Sequence, residues 1–296
     1  MFTNRSSYLL LVVALMIVTA CAPQAVSEPT STIPPTAKPT TIQPIVTATT
    51  IAELSGIFEA NGHSLYIKCL GTGSPTIVLE TGEGGTVMEF SEIQKKLAER
   101  TTTCAYDRAN NGRSDTVATP RTAKDTVEDL HALLLAVEVT GPYLLVGHSA
   151  GGMLVQLYAR TYPDQVVGVV SMNPVPPAHP WLDEVSKIFT TEEYTGEEAY
   201  YHGQNGESLD YLTSSEQIAA TTASPDVLFE MLISTDIQCE GEQICLKSYS
   251  TYEQIMQEVT AAWSNGNFSQ VKAGHNIFSD DSDAVVAAVE RVLSSR

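Results

Sequence analysis

Ser149 stands inside Gly147-His148-Ser149-Ala150-Gly151, a G-x-S-x-G pentapeptide. The apolar run Tyr143-Leu144-Leu145-Val146 precedes it, and Met153, Leu154, Leu157 and Tyr158 follow at helical spacing. Strand, tight turn and helix are the setting in which such a serine is held out from the backbone as a nucleophile. The glycines let the chain turn sharply and let strand and helix approach closely. The chemistry this predicts is acyl transfer: the hydroxyl attacks an acyl carbon once a positioned base takes its proton. The amide of Ala150, at the start of the helix, is suited to donate to the oxyanion that develops.

A base and an acid should follow the serine in chain order, the acid first. The chain has six histidines. His63 falls in a hairpin turn and His131 in a helix, both well before the pentapeptide, and His148 adjoins Ser149 with its side chain expected to point elsewhere. His179 and His202 lie in an insert described below. His275 remains, in Val271-Lys272-Ala273-Gly274-His275-Asn276-Ile277-Phe278, which reads as a strand running into a glycine-flexed loop.

The elements that must hold these groups alternate. Gly56 to Ala60 and Ser64 to Leu70 flank Asn61-Gly62-His63 and read as a hairpin, because Asn-Gly between strand-like runs is a strong turn signal. Thr76 to Glu80 is a buried strand that enters the glycine-rich loop Thr81-Gly82-Glu83-Gly84-Gly85, and a helix is expected over 87–100. A strand over 102–106, an amphipathic helix over 122–139 and a strand over 166–172 follow, with the pentapeptide between the last two. Strands alternating with helices predict a parallel sheet covered on both faces. Residues 227–235 are the best later strand, although Leu, Met and Glu there also suit a helix. A last helix is expected over 283–293.

The chain of 296 residues carries 16 basic and 35 acidic side chains, a formal charge of −19. That balance argues against nucleic acid as a partner and favours a soluble monomer. Arg5 precedes an apolar run from Tyr8 to Ala20, too short to span a bilayer as a helix and right for a signal-peptide core. It ends Val18-Thr19-Ala20-Cys21, which resembles a bacterial lipobox, with Cys21 the residue lipidated. Residues 22–50 hold six prolines and eight threonines and no aromatic residue, a composition that cannot form a core and favours an extended stalk. The organisation expected is a signal peptide over 1–20, a lipidated cysteine and linker over 21–52, and a domain over 53–296. The location expected is the outer face of a bacterial membrane, with plain secretion the alternative. With Cys21 set aside, Cys69, Cys104, Cys239 and Cys245 remain, and an even count in an exported domain points to two disulfides. Cys239 and Cys245 enclose a short loop and are expected to pair, leaving Cys69 for Cys104.

"PTIVLETGEGG" on the third strand, "TTCAYDRANNGRSD" on the fourth and "LLVGHSAGG" at the turn resemble a serine esterase and lipase-like branch of the α/β-hydrolase superfamily. The resemblance covers about residues 53–175 and resumes near 271. It implies the α/β-hydrolase fold, a mostly parallel sheet with helices on both faces and a small cap inserted after the sixth strand. The cap would be residues 176–224, where Trp181, Phe189, Tyr194, Tyr200, Tyr201 and Tyr211 are interspersed with acids. These aromatics either face an apolar pocket, with the acids toward solvent, or simply hold the cap together. The second and fourth strands would be neighbours, which adds weight to a Cys69–Cys104 bond. His275 would occupy the family's histidine loop. The acid would follow the seventh strand, at Asp236, with Asp226, Asp210 and Asp280 in reserve. Asn173, after the sixth strand, cannot carry the charge that stabilises an imidazolium. The second oxyanion donor would come from the loop after the third strand, Glu83 first and Gly84 next. A carboxylate at 83 would repel an oxyanion unless it pointed to solvent. Asp107 is expected to be structural, paired with Arg108 or a turn amide.

The activity these residues predict is hydrolysis of a small carboxylic ester through an acyl-enzyme. Amide or peptide cleavage is the nearer alternative, favoured by an amine pocket using cap acids such as Glu197 or Glu198. A catalytically inactive surface binding protein is the alternative of another class. No cofactor and no metal site is expected, since the sequence has no H-x-x-x-H, no cysteine–histidine cluster and no phosphate-binding fingerprint.

Overall fold

The computed structural model describes residues 53–221, 225–236 and 243–295. Cys21, the signal peptide, the linker and Cys239 lie outside them. The domain is an eight-stranded sheet in the order β1-β2-β4-β3-β5-β6-β7-β8. Its strands are β1 (Glu53–Ala60), β2 (His63–Leu70), β3 (Thr76–Glu80), β4 (Thr103–Asp107), β5 (Tyr143–His148), β6 (Val166–Met172), β7 (Leu228–Ser234) and β8 (Asn265–Val271). β1 and β2 form the expected hairpin, with Asn61 and Gly62 both at positive φ (54° and 88°) in its turn. β2 meets β4 antiparallel, and every later pairing is parallel.

Helices α1 (Ser91–Ala98), α8 (Ile277–Asp280) and α9 (Ser282–Ser294) cover one face. Helices α2 (Ala123–Ala136) and α3 (Ala150–Thr161) cover the other, with α7 (Gln243–Ala261) beside them. The strands serve both layers by alternation: Val78 and Leu145 pack on the α2/α3 side, Ile77, Leu79, Leu144 and Val146 on the α1/α9 side. Successive side chains of a strand point to opposite faces, so central strands buried on both sides must be apolar throughout. Between β6 and β7 the chain forms α4 (Ala178–Val185), α5 (Thr191–Tyr201) and α6 (Tyr211–Ala219), the expected insert.

Two element boundaries depart from expectation for physical reasons. The helix expected from residue 87 starts at Ser91, because the Val87 N–H is drawn to the Asp107 carboxylate (2.7 Å) and residues 86–90 form turns instead. The strand expected to run from Val271 ends there, so His275 sits in a loop four residues beyond β8. Cys69 and Cys104 face each other in the β2–β4 register and are disulfide-bonded, with Cα atoms 4.0 Å apart. Cys245 is disulfide-bonded as well.

Candidate active site

β3 lies between β4 and β5, so the chain leaves it to one side for β4 and later crosses to the other for β5. Crevices form outside the carboxyl ends of strands at such a reversal. The β3–β5 register pairs Glu80 with Gly147, which sets the loop after β3 directly beside the turn after β5. Ser149 occupies that turn at φ 53°, ψ −118°, a conformation an L-residue adopts only under constraint. The constraint is close packing around two glycines. A Cβ on Gly147 would run into Gly151 O, and one on Gly151 into Glu80 O and Thr81 O. The Ser149 N–H is fixed to Met172 O at 2.9 Å, and its C=O accepts from Val175 N at 3.2 Å.

Ser149, Asp236 and His275 line one cleft of about 660 Å³, together with Asn173, Trp181, Glu197 and four tyrosines. Asp236 follows β7 and His275 follows β8, and the β7–β8 pairing extends past Ser234↔Val271 to an Asp236 N–H···O=C Ala273 bond of 3.0 Å. That bond brings the carboxylate's backbone within two residues of the histidine. Both side chains are exposed, and among the described residues neither makes a hydrogen bond to the other or to Ser149. Partial desolvation in the cleft lowers the His275 pKa from its ordinary value, which favours the neutral imidazole a base must be.

The remaining acids lie elsewhere. Asp226 accepts from Ser264 and Asn265 near the start of β7, and Asp210 caps α6 through Thr213 N. Asp280 is near, but one of its oxygens accepts the Gly274 N–H at 2.9 Å. Asp107 receives the amides of Val87 and Arg113 rather than Arg108. Asn173 ties the His275 loop to the sheet, donating to His275 O (2.8 Å) and to Ser234 Oγ (3.1 Å).

His148 does not point away from the site. Its ring lies 4.7 Å from that of His275, centre to centre, and its Nε2 is 2.9 Å from His275 O. A carbonyl only accepts, so the proton sits on Nε2 and leaves Nδ1 as a bare lone pair, buried without a partner among the described residues. Burial, with the neighbouring His275 second, brings the His148 pKa down to about 4.

On the other side of Ser149 the loop after β3 is held by Arg108, a residue whose part in the site the sequence did not disclose. Its guanidinium is buried and donates to Thr81 O (2.7 Å), Gly82 O (2.5 Å), Glu80 Oε1 (2.6 Å) and both oxygens of Glu207. The Gly82–Glu83 peptide is not among the cis bonds. In a trans peptide the N–H points opposite the C=O, so fixing Gly82 O on Arg108 turns the Glu83 N–H away from it. Gly82 itself is so close to the nucleophile turn that a Cβ there would lie 3.4 Å from Ser149 Cβ. The Glu83 N–H has no acceptor among the described residues, which leaves it available as a donor beside Ala150 N–H. Gly84 is corrected: its N–H is taken by Glu207 Oε2 at 2.9 Å.

The Glu83 carboxylate is corrected too. It turns neither to solvent nor to Ser149 but into the insert, accepting from Tyr200 Oη (2.8 Å), Tyr211 Oη (3.0 Å) and Gly206 N (2.8 Å). Loop and insert thus exchange carboxylates, Glu83 to Gly206 and Glu207 to Gly84. Burial would raise the Glu207 pKa, but Arg108 and the Gly84 amide outweigh it and hold the carboxyl below its ordinary value. Glu80 shares the same cation in a drier place, and burial prevails there, raising its pKa. Glu207 is therefore an insert acid that is buried, against the expectation of acids facing solvent. The aromatics do both jobs expected of them: Trp181, Tyr200 and Tyr201 line the cleft, while Tyr211 ties α6 to the loop.

The family described as the alpha/beta hydrolase fold matches residues 75–226, and the chain belongs to it. It is 33% identical over 112 residues to the uncharacterized protein YqjL of Bacillus subtilis, a match covering 38% of this chain and 44% of that protein. It is 31% identical over 113 residues to a 2-(acetamidomethylene)succinate hydrolase of Mesorhizobium japonicum, covering 38% and 40%. The chain thus spans less than half the length of these curated relatives. Among solved structures it is similar to a thermophilic esterase from Thermogutta terrifontis, with a TM-score of 0.57, 15% identity and coverage of 82% and 98%.

Proposed function

We propose that the protein is a serine hydrolase that cleaves a carboxylic ester through an acyl-enzyme. The observation that carries this reading is Ser149, held at positive φ in a glycine-packed turn, sharing one cleft with His275 and Asp236. In the first half-reaction Ser149 Oγ bonds to the ester carbonyl carbon while its proton passes to the His275 imidazole. The resulting oxyanion takes the Ala150 and Glu83 amides, and collapse breaks the bond to the alcohol, which leaves with the proton from His275. Water then repeats the sequence, releasing the acid and restoring the serine. Asp236 orients the imidazole and offsets its transient positive charge. An amide would follow the same steps with an amine as leaving group. Cys21 and the proline- and threonine-rich stretch after it support a location for this chemistry outside the cytoplasm, on a lipid anchor.

A fluorophosphonate probe tests the reading on the purified protein. Labelling of the wild type that vanishes in both Ser149→Ala and His275→Ala is the expected result. A folded wild type that does not label would overturn it. Paired p-nitrophenyl esters and p-nitroanilides then decide between ester and amide, the ester being the one expected to turn over.

A further inference from the structure

The half of the cleft built by the insert and α7 has an unusual balance of groups. Among the described residues its walls are Trp181, Tyr200, Tyr201, Tyr249 and Tyr252, with one carboxylate, Glu197, and no lysine or arginine. Each ring's donor is already committed to the protein. Tyr200 donates to Glu83, Tyr201 to Pro176 O, Tyr249 to Ser234 O, Tyr252 to Pro174 O, and Trp181 Nε1 to Glu197 Oε1 at 2.5 Å. Trp181 and Tyr201 are buried, so what Tyr200, Tyr249 and Tyr252 still offer a ligand is ring surface, not hydrogen-bond donors. Glu197 forms no ion pair among the described residues, and its one hydrogen bond there is that from Trp181 to Oε1. A wall of this kind has nothing to neutralise an anionic group and would repel it. Aromatic rings and a carboxylate together attract a cation, most of all one whose charge is spread over methyl groups and which needs no hydrogen bond.

We infer that the cleft holds a subsite for a cationic, alkylammonium group, so that the preferred substrate is a carboxylic ester carrying a positive charge. The inference rests on the hydrolase reading above and names its substrate class. The chain's formal charge of −19 adds a long-range attraction of the same sign. Glu197 becomes a specificity-determining residue, while Glu198, the other acid considered for such a role, is exposed and does not line the cleft.

Butyrylcholine and 3,3-dimethylbutyl butanoate share shape and differ by the charge, so the ratio of their kcat/KM values reads the subsite. A ratio of roughly tenfold or more in favour of the cation is expected for the wild type, falling toward one in Glu197→Gln. The amide oxygen still accepts from Trp181, which keeps the packing comparable. Equal kcat/KM for the two esters in the wild type would overturn the subsite and leave the hydrolase reading standing. A second measurement works without turnover: phenyltrimethylammonium titrated calorimetrically into Ser149→Ala. Saturable binding that weakens about tenfold or more with Glu197→Gln added supports the subsite even if neither ester is cleaved, the outcome that would count against the hydrolase reading. No saturable binding would overturn it.

Discussion

On one side of Ser149, Arg108 and Glu80 are each 2% exposed and Glu207 is 6% exposed, and the three form a closed network whose hydrogen bonds reach the backbone at residues 81, 82 and 84. On the other side, His275 and Asp236 are exposed and not yet joined to each other or to the serine. The two halves face different demands. Stabilising a developing oxyanion depends on donors fixed before the charge appears, because reorienting them during reaction would cost much of what they contribute. Proton transfer needs its partners in line only when substrate is present, and such bonds are often long or unmade in the free enzyme. On the proposed reading, the buried half is fixed before the charge develops, and the exposed half would complete itself around a ligand.

The sharpest way to break this comparison is at the exposed half. Asp236→Asn removes the charge but hardly the shape, and should lower kcat by about 10⁴, the scale expected when a histidine loses its orienting carboxylate. Asp280→Asn, which removes a carboxylate that serves Gly274 N, should change kcat only a few-fold. Steady-state kinetics of the two variants side by side decides the matter, and the reverse ranking would move the acid to Asp280.

The buried half should respond less in rate and more in stability. Arg108→Gln frees the Gly82 carbonyl and leaves Glu80 and Glu207 facing each other without a cation. We expect kcat to fall about 10²–10³-fold, the loss typical of one oxyanion donor, with about 3–5 kcal/mol of stability lost to the uncompensated carboxylates. Arg108→Lys separates the two effects. It restores a charge but not the fork that spans two carbonyls and two carboxylates, so stability should recover in part while kcat stays low. If a folded Arg108→Gln protein keeps kcat within a few-fold of the wild type, Arg108 is structural only. Urea titrations alongside the kinetics supply both readouts.

What the sequence disclosed divides along the same line. Ser149 and Ala150 were legible because their environment is local: only glycine fits at 147 and 151, and the strand and helix lie on either side. His275 followed from chain order, and Asp236 from its place after a strand whose composition was ambiguous. That ambiguity has a tertiary answer. Glu230 sits 1% exposed in β7 because Arg291 of α9 and Asn267 of β8 hold its carboxylate, partners 61 and 37 residues away. The Arg108–Glu207 contact, spanning 99 residues, left no pattern to read. An arginine after a wholly buried strand, at the sheet edge where the site forms, was the one available signal. The doubt raised by a glutamate at 83 had the same source, since the tyrosines that draw its carboxylate aside belong to an insert with no sequence link to that loop.

His148 joins the two halves, and it yields the smallest effect of the three. Its Nε2–H holds the His275 loop through the carbonyl, while Nδ1 lies beside the Gly82 backbone, 3.1 Å from where a Cβ on that residue would sit. Protonating Nδ1 would bury an unpartnered charge, so the folded pKa is about 4 while the unfolded value stays near the ordinary 6.5. Below pH 6.5 the unfolded chain takes up the proton and the folded one does not. Stability from this group is therefore complete above about pH 6.5 and lost progressively as pH falls toward 4, by about 3 kcal/mol in all. Burial lowers the His275 pKa as well, so the informative quantity is the difference from His148→Asn. Unfolding free energies from urea titrations at pH 7.0, 5.5 and 4.5 should show the wild type losing more stability than the variant over this range. Parallel slopes would mean that Nδ1 finds a partner in solution and that the joint between the halves is not held dry.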